Sequence, residues 1–115
     1  KGELLSRLKR YDEALHCFEE VLKIDPDDTE AWYGKGSAFR DLGKYDEAVQ
    51  CYEKVLEADP HHATAWVNKG VSLGNLGKHR EAVSCFDKAL EIDPDNAHAR
   101  YNRSVSLVLM EKEPS

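Results

Sequence analysis

The sequence predicts an all-α solenoid made of antiparallel helix pairs, and three observations lead to that prediction. Residues of unrelated chemistry recur every 34 positions, apolar side chains recur at helical spacing, and glycine or proline ends each apolar stretch. Because cysteine and proline respond to different physical constraints, an interval that both keep indicates a tandem repeat whose units pack on their neighbours. The residues that keep the interval include Cys17, Cys51 and Cys85, and Pro26, Pro60 and Pro94.

The first complete unit, residues 29–62, is predicted to form two helices. Asp27 and Glu30 stand three positions apart, as at a helix start. The first helix ends at Gly43, since glycine accepts the left-handed conformation that closes a helix. The second ends before Pro60, because proline disfavours helix in the preceding residue. The two apolar stripes are Ala31, Trp32, Ala38, Phe39 and Leu42, then Tyr45, Ala48, Val49, Tyr52, Val55 and Leu56.

The same plan extends over the rest of the chain. Residues 63–96 form a second complete unit, and partial units occupy residues 1–28 and 97–115. This division predicts seven helices, the first incomplete, in a single domain of residues 1–115 that is a fragment of a longer array. Short turns between the helices make sequence neighbours antiparallel.

Composition narrows the classes of function. The chain has 22 acidic and 16 basic residues and a net charge of -6, whereas a nucleic-acid partner requires a basic patch. No apolar run approaches the ~20 residues of a membrane span, and no signal peptide is present. We therefore expect a cytoplasmic protein whose partner is neither a nucleic acid nor a membrane.

The reactive side chains do not form a catalytic or metal-binding motif. Equivalent helices of neighbouring repeats lie about 8–10 Å apart, beyond the ~7 Å limit for a disulfide, so we expect three free, partly buried thiols. No CxxC pair occurs, and the histidines, including His61 and His62 in a turn, do not converge as zinc ligands would. These observations predict a non-enzyme without metal or cofactor.

The repeated pattern resembles the tetratricopeptide repeat family. One unit carries Trp32-x2-Lys35-Gly36-x2-Phe39, Ala48-x3-Tyr52 and Pro60, and the next carries Trp66-x2-Lys69-Gly70-x2-Leu73, Ala82-x3-Phe86 and Pro94. The resemblance implies a right-handed superhelix whose concave face binds a protein or peptide ligand. Where the family usually has leucine before the glycine, this chain has a lysine or arginine. The aliphatic part of this side chain should lie along apolar neighbours, with its charged group at the junction between helices. The cations are Lys1, Lys35, Lys69 and Arg103.

The first helices carry apolar and amide side chains on the face opposite the core. Apolar residues aligned on a face that should be solvated indicate a binding groove, and the resemblance makes this face the concave one. An extended peptide or a partner helix is the expected ligand. The predicted groove residues are Tyr33, Ser37, Val67, Asn68, Val71, Tyr101, Asn102 and Val105.

Two of these residues, Asn68 and Asn102, resemble rungs of the asparagine ladder in the repeat superhelix of O-GlcNAc transferase, where side-chain amides bind a peptide backbone. Gly34 interrupts the ladder one repeat earlier. An equally weighted alternative is that asparagine is simply common at this position of the family. Family members that bind chaperone tails use a clamp of lysine, arginine and asparagine instead. The clamp positions here supply no cation and are Tyr33, Ser37, Asn68, His98 and Asn102.

Two other interpretations stay open. A structural spacer or self-assembly segment would leave the groove empty, and the repeat portion of a larger, O-GlcNAc-transferase-like enzyme would need catalytic sequence outside these residues. The last helix, from residue 97 to about 110, has the apolar run 105–110 and no second helix to cover it. A solubilising end repeat has a polar outer face, so this helix is a candidate surface for self-association.

Overall fold

A computed structural model describes residues 2–112, with side chains from residue 8 onward, so the predicted partial units extend beyond the described residues at both ends. Within these residues the regular structure is entirely helical, which confirms the predicted all-α solenoid. Each helix packs on the next in sequence, and α2, α4 and α6 lie side by side. The helices are α1 (Gly2–Ile24), α2 (Thr29–Asp41), α3 (Tyr45–Ala58), α4 (Ala63–Asn75), α5 (His79–Ile92) and α6 (Ala97–Lys112).

The first unit contains one helix where the sequence predicted two. α2 and α4 are closed by Gly43 and Gly77, whose φ angles of 80° and 82° are left-handed. Lys9 occupies the equivalent position in the first unit, and a side chain bearing a Cβ disfavours that conformation. α1 therefore continues through the predicted turn, and the described residues form six helices rather than seven.

A side chain at the same position of each unit fixes the start of α2, α4 and α6. Asp28, His62 and Asn96 each accept a hydrogen bond from the backbone N–H three residues later, at 3.1, 3.1 and 3.0 Å. The helix start that the spacing of Asp27 and Glu30 predicts is one residue too early. The cap is Asp28.

The two helices of each complete pair approach closely where a glycine faces an aromatic ring. A Cβ built on Gly36 would lie 3.0 Å from the ring of Tyr52, and one built on Gly70 would lie 2.5 Å from the ring of Phe86. Both rings are buried. Only glycine leaves room for these rings, which accounts for a residue that otherwise disfavours helix by about 1 kcal/mol.

An ion pair recurs at each junction between a second helix and the following first helix. The pairs are Lys35–Glu19 at 3.9 Å, Lys69–Glu53 at 3.4 Å and Arg103–Asp87 at 2.6 Å. The ammonium groups of Lys35 and Lys69 also lie 5.1 and 5.3 Å from the ring centres of Trp32 and Trp66. For Lys35 and Lys69, the predicted position along apolar neighbours, with the charge at the junction between helices, is confirmed. Lys1 lies outside the described residues.

The three cysteines are free, as predicted, but they differ in burial. Cys51 and Cys85 are buried within complete helix pairs, and burial raises the pKa of each thiol to about 11. Cys17 is exposed, whereas the sequence predicted that it would be partly buried. Within residues 2–112, α1 packs on α2 alone, so no preceding first helix covers Cys17 as α2 covers Cys51.

We expect thiol alkylation to distinguish Cys17 from the other two cysteines. At pH 8 a thiol with a pKa of about 11 is roughly 0.1% thiolate, against roughly a quarter for a free cysteine in solution. Native protein should therefore take up one equivalent of iodoacetamide quickly, and three after unfolding. Intact-mass spectrometry over time measures the uptake, and Cys17→Ser should remove the fast phase. Three equally fast native thiols would contradict the burial of Cys51 and Cys85.

Candidate functional site

A groove of about 390 Å³ opens where α2, α4 and α6 lie side by side. Its floor is apolar and its walls are mainly polar. The lining residues are Tyr33, Arg40, Thr64, Val67, Asn68, Val71, Asn96, His98 and Asn102. Five of the eight predicted groove residues are thus brought together here: Tyr33, Val67, Asn68, Val71 and Asn102.

The floor of the groove is continuous with the core. Val67 is buried and belongs to the same apolar cluster as Phe86 and Ala99, and Val71 packs against that cluster. The prediction that Val67 lies on a solvated face is wrong, because α6 packs alongside α4 and covers it. The groove floor is therefore held in place by core packing.

The other three predicted residues lie elsewhere. Ser37 faces the partner helix, where its hydroxyl shares a hydrogen bond of 3.1 Å with the hydroxyl of buried Tyr52. Tyr101 is exposed on α6 and does not line the groove. Val105 lines a second cavity of about 170 Å³ between α4 and α6, which shares Val71 and Asn102 with the groove. Val105 therefore extends the groove surface along α6.

Asn68 is hydrogen-bonded on both sides of its amide. Its Nδ2 donates to Tyr33 Oη at 2.8 Å, and its Oδ1 accepts from the Arg40 guanidinium at 2.9 Å. The Tyr33 ring is in turn stacked on His62, with the ring centres 5.3 Å apart. A primary amide has two N–H donors and two acceptor lone pairs. Asn68 therefore keeps one donor and one acceptor for a ligand, in a fixed orientation.

Asn102 holds the equivalent position on α6 and is less constrained. Its Nδ2 donates to the backbone carbonyl of His98 at 2.8 Å, which leaves one N–H and the amide oxygen. One repeat before Asn68, the equivalent position is Gly34, and a Cβ built there would lie 2.3 Å from the ring of Phe18. The aromatic ring thus occupies the space of a side chain at Gly34, which explains in physical terms why the series of asparagines stops there.

Arg40 lines the groove, and sequence reasoning missed it. It lies seven positions after Tyr33 on α2, a spacing that returns to the same helix face, and this spacing was the available signal. The guanidinium also approaches the Asp41 carboxylate at 3.3 Å. Thr64, Asn96 and His98 complete the polar walls. Among side chains 8–112, no acidic residue lines the groove, so its free hydrogen-bonding groups suit a ligand rich in carbonyl or carboxylate oxygens.

The remaining surfaces add no recognisable chemical site within the described residues. Among side chains 8–112, no three His, Cys, Asp or Glu residues gather as a metal site would require. No helix of residues 2–112 has both the length and the apolar character needed to cross a membrane.

Comparison with known proteins shows a shared fold. The first TPR of Spaghetti (RPAP3), bound to the HSP90 peptide SRMEEVD, superposes with a TM-score of 0.87 at 22% identity, over 97% of this chain and 89% of that one. The second TPR domain of human RPAP3, in complex with the HSP70 peptide SGPTIEEVD, gives 0.82 at 23% identity, over 92% and 88%. A crystal structure of MamA gives 0.85 at 22% identity, and this chain covers 60% of that longer one.

Sequence comparison identifies the family. No curated protein matches the chain by sequence. The tetratricopeptide repeat model matches residues 1–63, 34–97 and 68–109, which together span nearly the whole chain. Together with the helix pairs described above, these matches show that the chain belongs to the tetratricopeptide repeat family.

Proposed function

We propose that the chain is a protein-interaction module that binds an extended peptide in the groove between α2, α4 and α6. The observation that supports this most strongly is the combination of an apolar floor, Val67 and Val71, with two amides, Asn68 and Asn102, that keep free donors and acceptors. An extended peptide presents backbone N–H and C=O groups along its length, and an amide can bond to both.

The spacing of the two amides fits a peptide backbone. Equivalent helices lie about 10 Å apart, and an extended chain advances ~3.3–3.6 Å per residue. Asn68 and Asn102 would therefore grip every third residue of the ligand, with apolar contact to the floor between them. Because Tyr33 and Arg40 already orient Asn68, little side-chain entropy is lost when the ligand binds.

Two TPR domains of the same fold are bound to an HSP90 peptide and an HSP70 peptide, which supports a peptide as the class of ligand. A carboxylate clamp has less support here, since the family's clamp positions carry no lysine or arginine. Arg40 stands at a different position, and Asp41 partly neutralises it. We therefore propose recognition of the peptide backbone, with affinity that depends weakly on salt.

The proposal also includes the type of activity and the cellular compartment. The groove residues serve binding rather than catalysis, and three free thiols accord with a reducing, cytoplasmic compartment. A passive spacer is the competing function, and it predicts that no peptide binds the groove.

Calorimetry on a peptide selected from a randomised array tests the proposal. Asn68→Ala and Asn102→Ala should each weaken binding by roughly 0.5–1.5 kcal/mol, the net contribution of a typical hydrogen bond. Helicity by circular dichroism should stay unchanged. Gln50→Ala, which removes an exposed amide from α3, is the matched control and should bind as the parent does.

The outcomes separate the alternatives. Unchanged affinity in the double variant Asn68→Ala/Asn102→Ala would overturn backbone recognition by these amides. A steep loss of affinity with salt, together with tight binding of the probe SRMEEVD, would instead favour carboxylate binding at Arg40. If the array yields no binding peptide, the spacer interpretation replaces the proposal.

A further inference from the structure

The cavity of about 170 Å³ between α4 and α6, here called the side pocket, adjoins the groove. The two cavities share Val71 and Asn102, so a ligand in the groove reaches the mouth of the side pocket. The side pocket is therefore placed to contact part of that ligand. The lining residues that matter for its chemistry are Val71, Gly74, Phe86, Asn102, Val105 and Leu109.

The side pocket is open at the position where Gly74 has no side chain. A Cβ built on Gly74 would meet only Ser106 Oγ, at 3.9 Å, among the neighbouring groups that the described residues provide. The equivalent residue one repeat earlier is Arg40, whose guanidinium reaches from α2 to Asn68 on α4. An arginine thus fills the junction between α2 and α4, whereas a glycine leaves the junction between α4 and α6 open.

The amide of Asn102 is available at the mouth of the side pocket. Asn68, its equivalent, is hydrogen-bonded to two side chains of α2. Beside Asn102, the equivalents of those two residues are Val67 and Gly74, neither of which has a side chain that forms hydrogen bonds. Asn102 therefore bonds only to its own helix, through the carbonyl of His98, and keeps one N–H and its amide oxygen for a ligand.

The walls of the side pocket suit an apolar group. Val71 packs against the core cluster that contains Phe86, and α6 contributes Val105 and Leu109, each 39% exposed. Among side chains 8–112, no Asp, Glu, Lys or Arg lines the side pocket, and His79 is its one ionisable side chain. A charged ligand group would lose hydration there without an opposite charge to compensate, whereas an apolar group would gain contacts.

The exposure of the α6 wall is a property of this helix face. Val105 and Leu109 are equivalent to Val71 and Asn75 of α4, which is paired with α5 and followed by α6. Asn75 is nevertheless exposed, and Val71 is only partly buried. Packing of a second helix and of a following repeat therefore leaves these positions accessible, and they face the junction between neighbouring first helices.

The size of the side pocket fits a single side chain. Its volume of about 170 Å³ is less than half of the groove's 390 Å³. An apolar protein cavity of about 150 Å³ holds one benzene molecule, and the side chain of leucine is similar in size. The side pocket therefore has room for one such side chain, while the peptide backbone stays in the groove.

We propose that the side pocket receives one apolar side chain of the ligand peptide, of about the size of leucine, while Asn102 bonds to the backbone beside that residue. This inference rests on the proposed function and adds a sequence preference to it. Gly74 determines the specificity, because it leaves the space that the side chain enters. Near Asn68 the equivalent space is filled by Arg40, so the preference applies to one position of the peptide.

Calorimetry on the array-selected peptide and its single alanine variants is the first test. Truncation of one apolar peptide residue should weaken binding to the parent by about tenfold, as expected when most of a leucine side chain is buried. In Gly74→Leu the new side chain fills the side pocket, so the selected peptide and its truncated form should bind equally. Gly74→Ala is the matched control, because it leaves most of the space open and should keep the difference.

A second variant changes the opposite wall without filling the space. Leu109→Asp places a carboxylate in the side pocket at an exposed position, so it should also reduce the preference for the apolar residue, and thermal unfolding checks that both variants fold. If Gly74→Leu and Leu109→Asp discriminate between the two peptides as the parent does, the proposal is overturned. Loss of binding in Asn68→Ala/Asn102→Ala would in that case still support the proposed function.

A small probe tests the side pocket without a selected peptide. N-acetyl-leucine methylamide carries one leucine side chain between two backbone amides, and its titration should shift the NMR signals of the Gly74 backbone amide and the Asn102 side-chain amide. N-acetyl-alanine methylamide should shift them less, and Gly74→Leu should remove the difference. Equal shifts with both probes in the parent would overturn the proposal. A preference for the leucine probe when the array yields no peptide would support the side pocket and contradict only the proposed function.

Discussion

Replacing Phe86 with alanine should lower the free energy of unfolding by about 3–5 kcal/mol, and the same change at Phe18 should lower it clearly less. Phe86 is 1% exposed and packs against Gly70 inside a complete pair. Phe18 holds the equivalent position in α1, which within residues 2–112 packs on α2 alone, and its ring is only partly buried. Urea unfolding followed by circular dichroism gives both values from the transition midpoint and slope.

The comparison is informative because the two variants delete the same side chain at the same position of the repeat. Equal losses for the two variants would contradict the difference in burial between Phe18 and Phe86.

Replacing Gly70 with alanine should destabilise the fold by about 1–3 kcal/mol, the range typical of an overpacked core, while Gly74→Ala should stabilise it by up to ~1 kcal/mol. A Cβ at Gly70 would lie 2.5 Å from the ring of Phe86, which is buried and cannot withdraw. A Cβ at Gly74 would meet only Ser106 Oγ, at 3.9 Å. The second change therefore gains helix propensity without a clash, and thermal unfolding measures both.

Each glycine variant serves as the control for the other, because both add one methyl group to α4. A smaller side chain at position 86 should recover part of the loss, so Gly70→Ala/Phe86→Leu is expected to be more stable than the additive sum of the two single changes. Destabilisation of similar size by both glycine variants would contradict the ring contact at Gly70.

The fold could be predicted from the sequence because its determinants are local and repeated. Apolar spacing, proline and the glycines at positions 43 and 77 define the helix pairs, and these signals are read within a few residues. The turn that is missing from the first unit also has a local cause. Lys9 has a Cβ and therefore disfavours the left-handed conformation that ends α2 at Gly43, although the repeat predicts a turn at both positions. A period predicts where a turn belongs, but the residue at that place decides whether it forms.

The candidate site was harder to predict because it depends on contacts between repeats. A helical wheel of α4 places Val67 away from its own pair, yet α6 covers it. Asn68 reaches Tyr33 and Arg40 on α2, and no spacing within one helix indicates those bonds. Ser37 is predicted to line the groove, but its hydroxyl is hydrogen-bonded to the hydroxyl of buried Tyr52 on α3 instead. These contacts depend on residues of other helices, which the residue spacing within one helix does not indicate.

The bonds of Asn68 have a mechanical consequence. The Asn68 amide, which faces the groove, also joins α4 to α2 through its bonds to Tyr33 and Arg40. The same hydrogen bonds therefore affect both the separation of the two helices and the groove between them. A ligand that favours one separation of these helices binds best to a solenoid already bent to that separation. By thermodynamic linkage, binding of that ligand would shift the protein towards the same helix separation by the same free energy. Under the proposed function, the separation of α2 and α4 in the free protein would therefore contribute to the selection of the ligand.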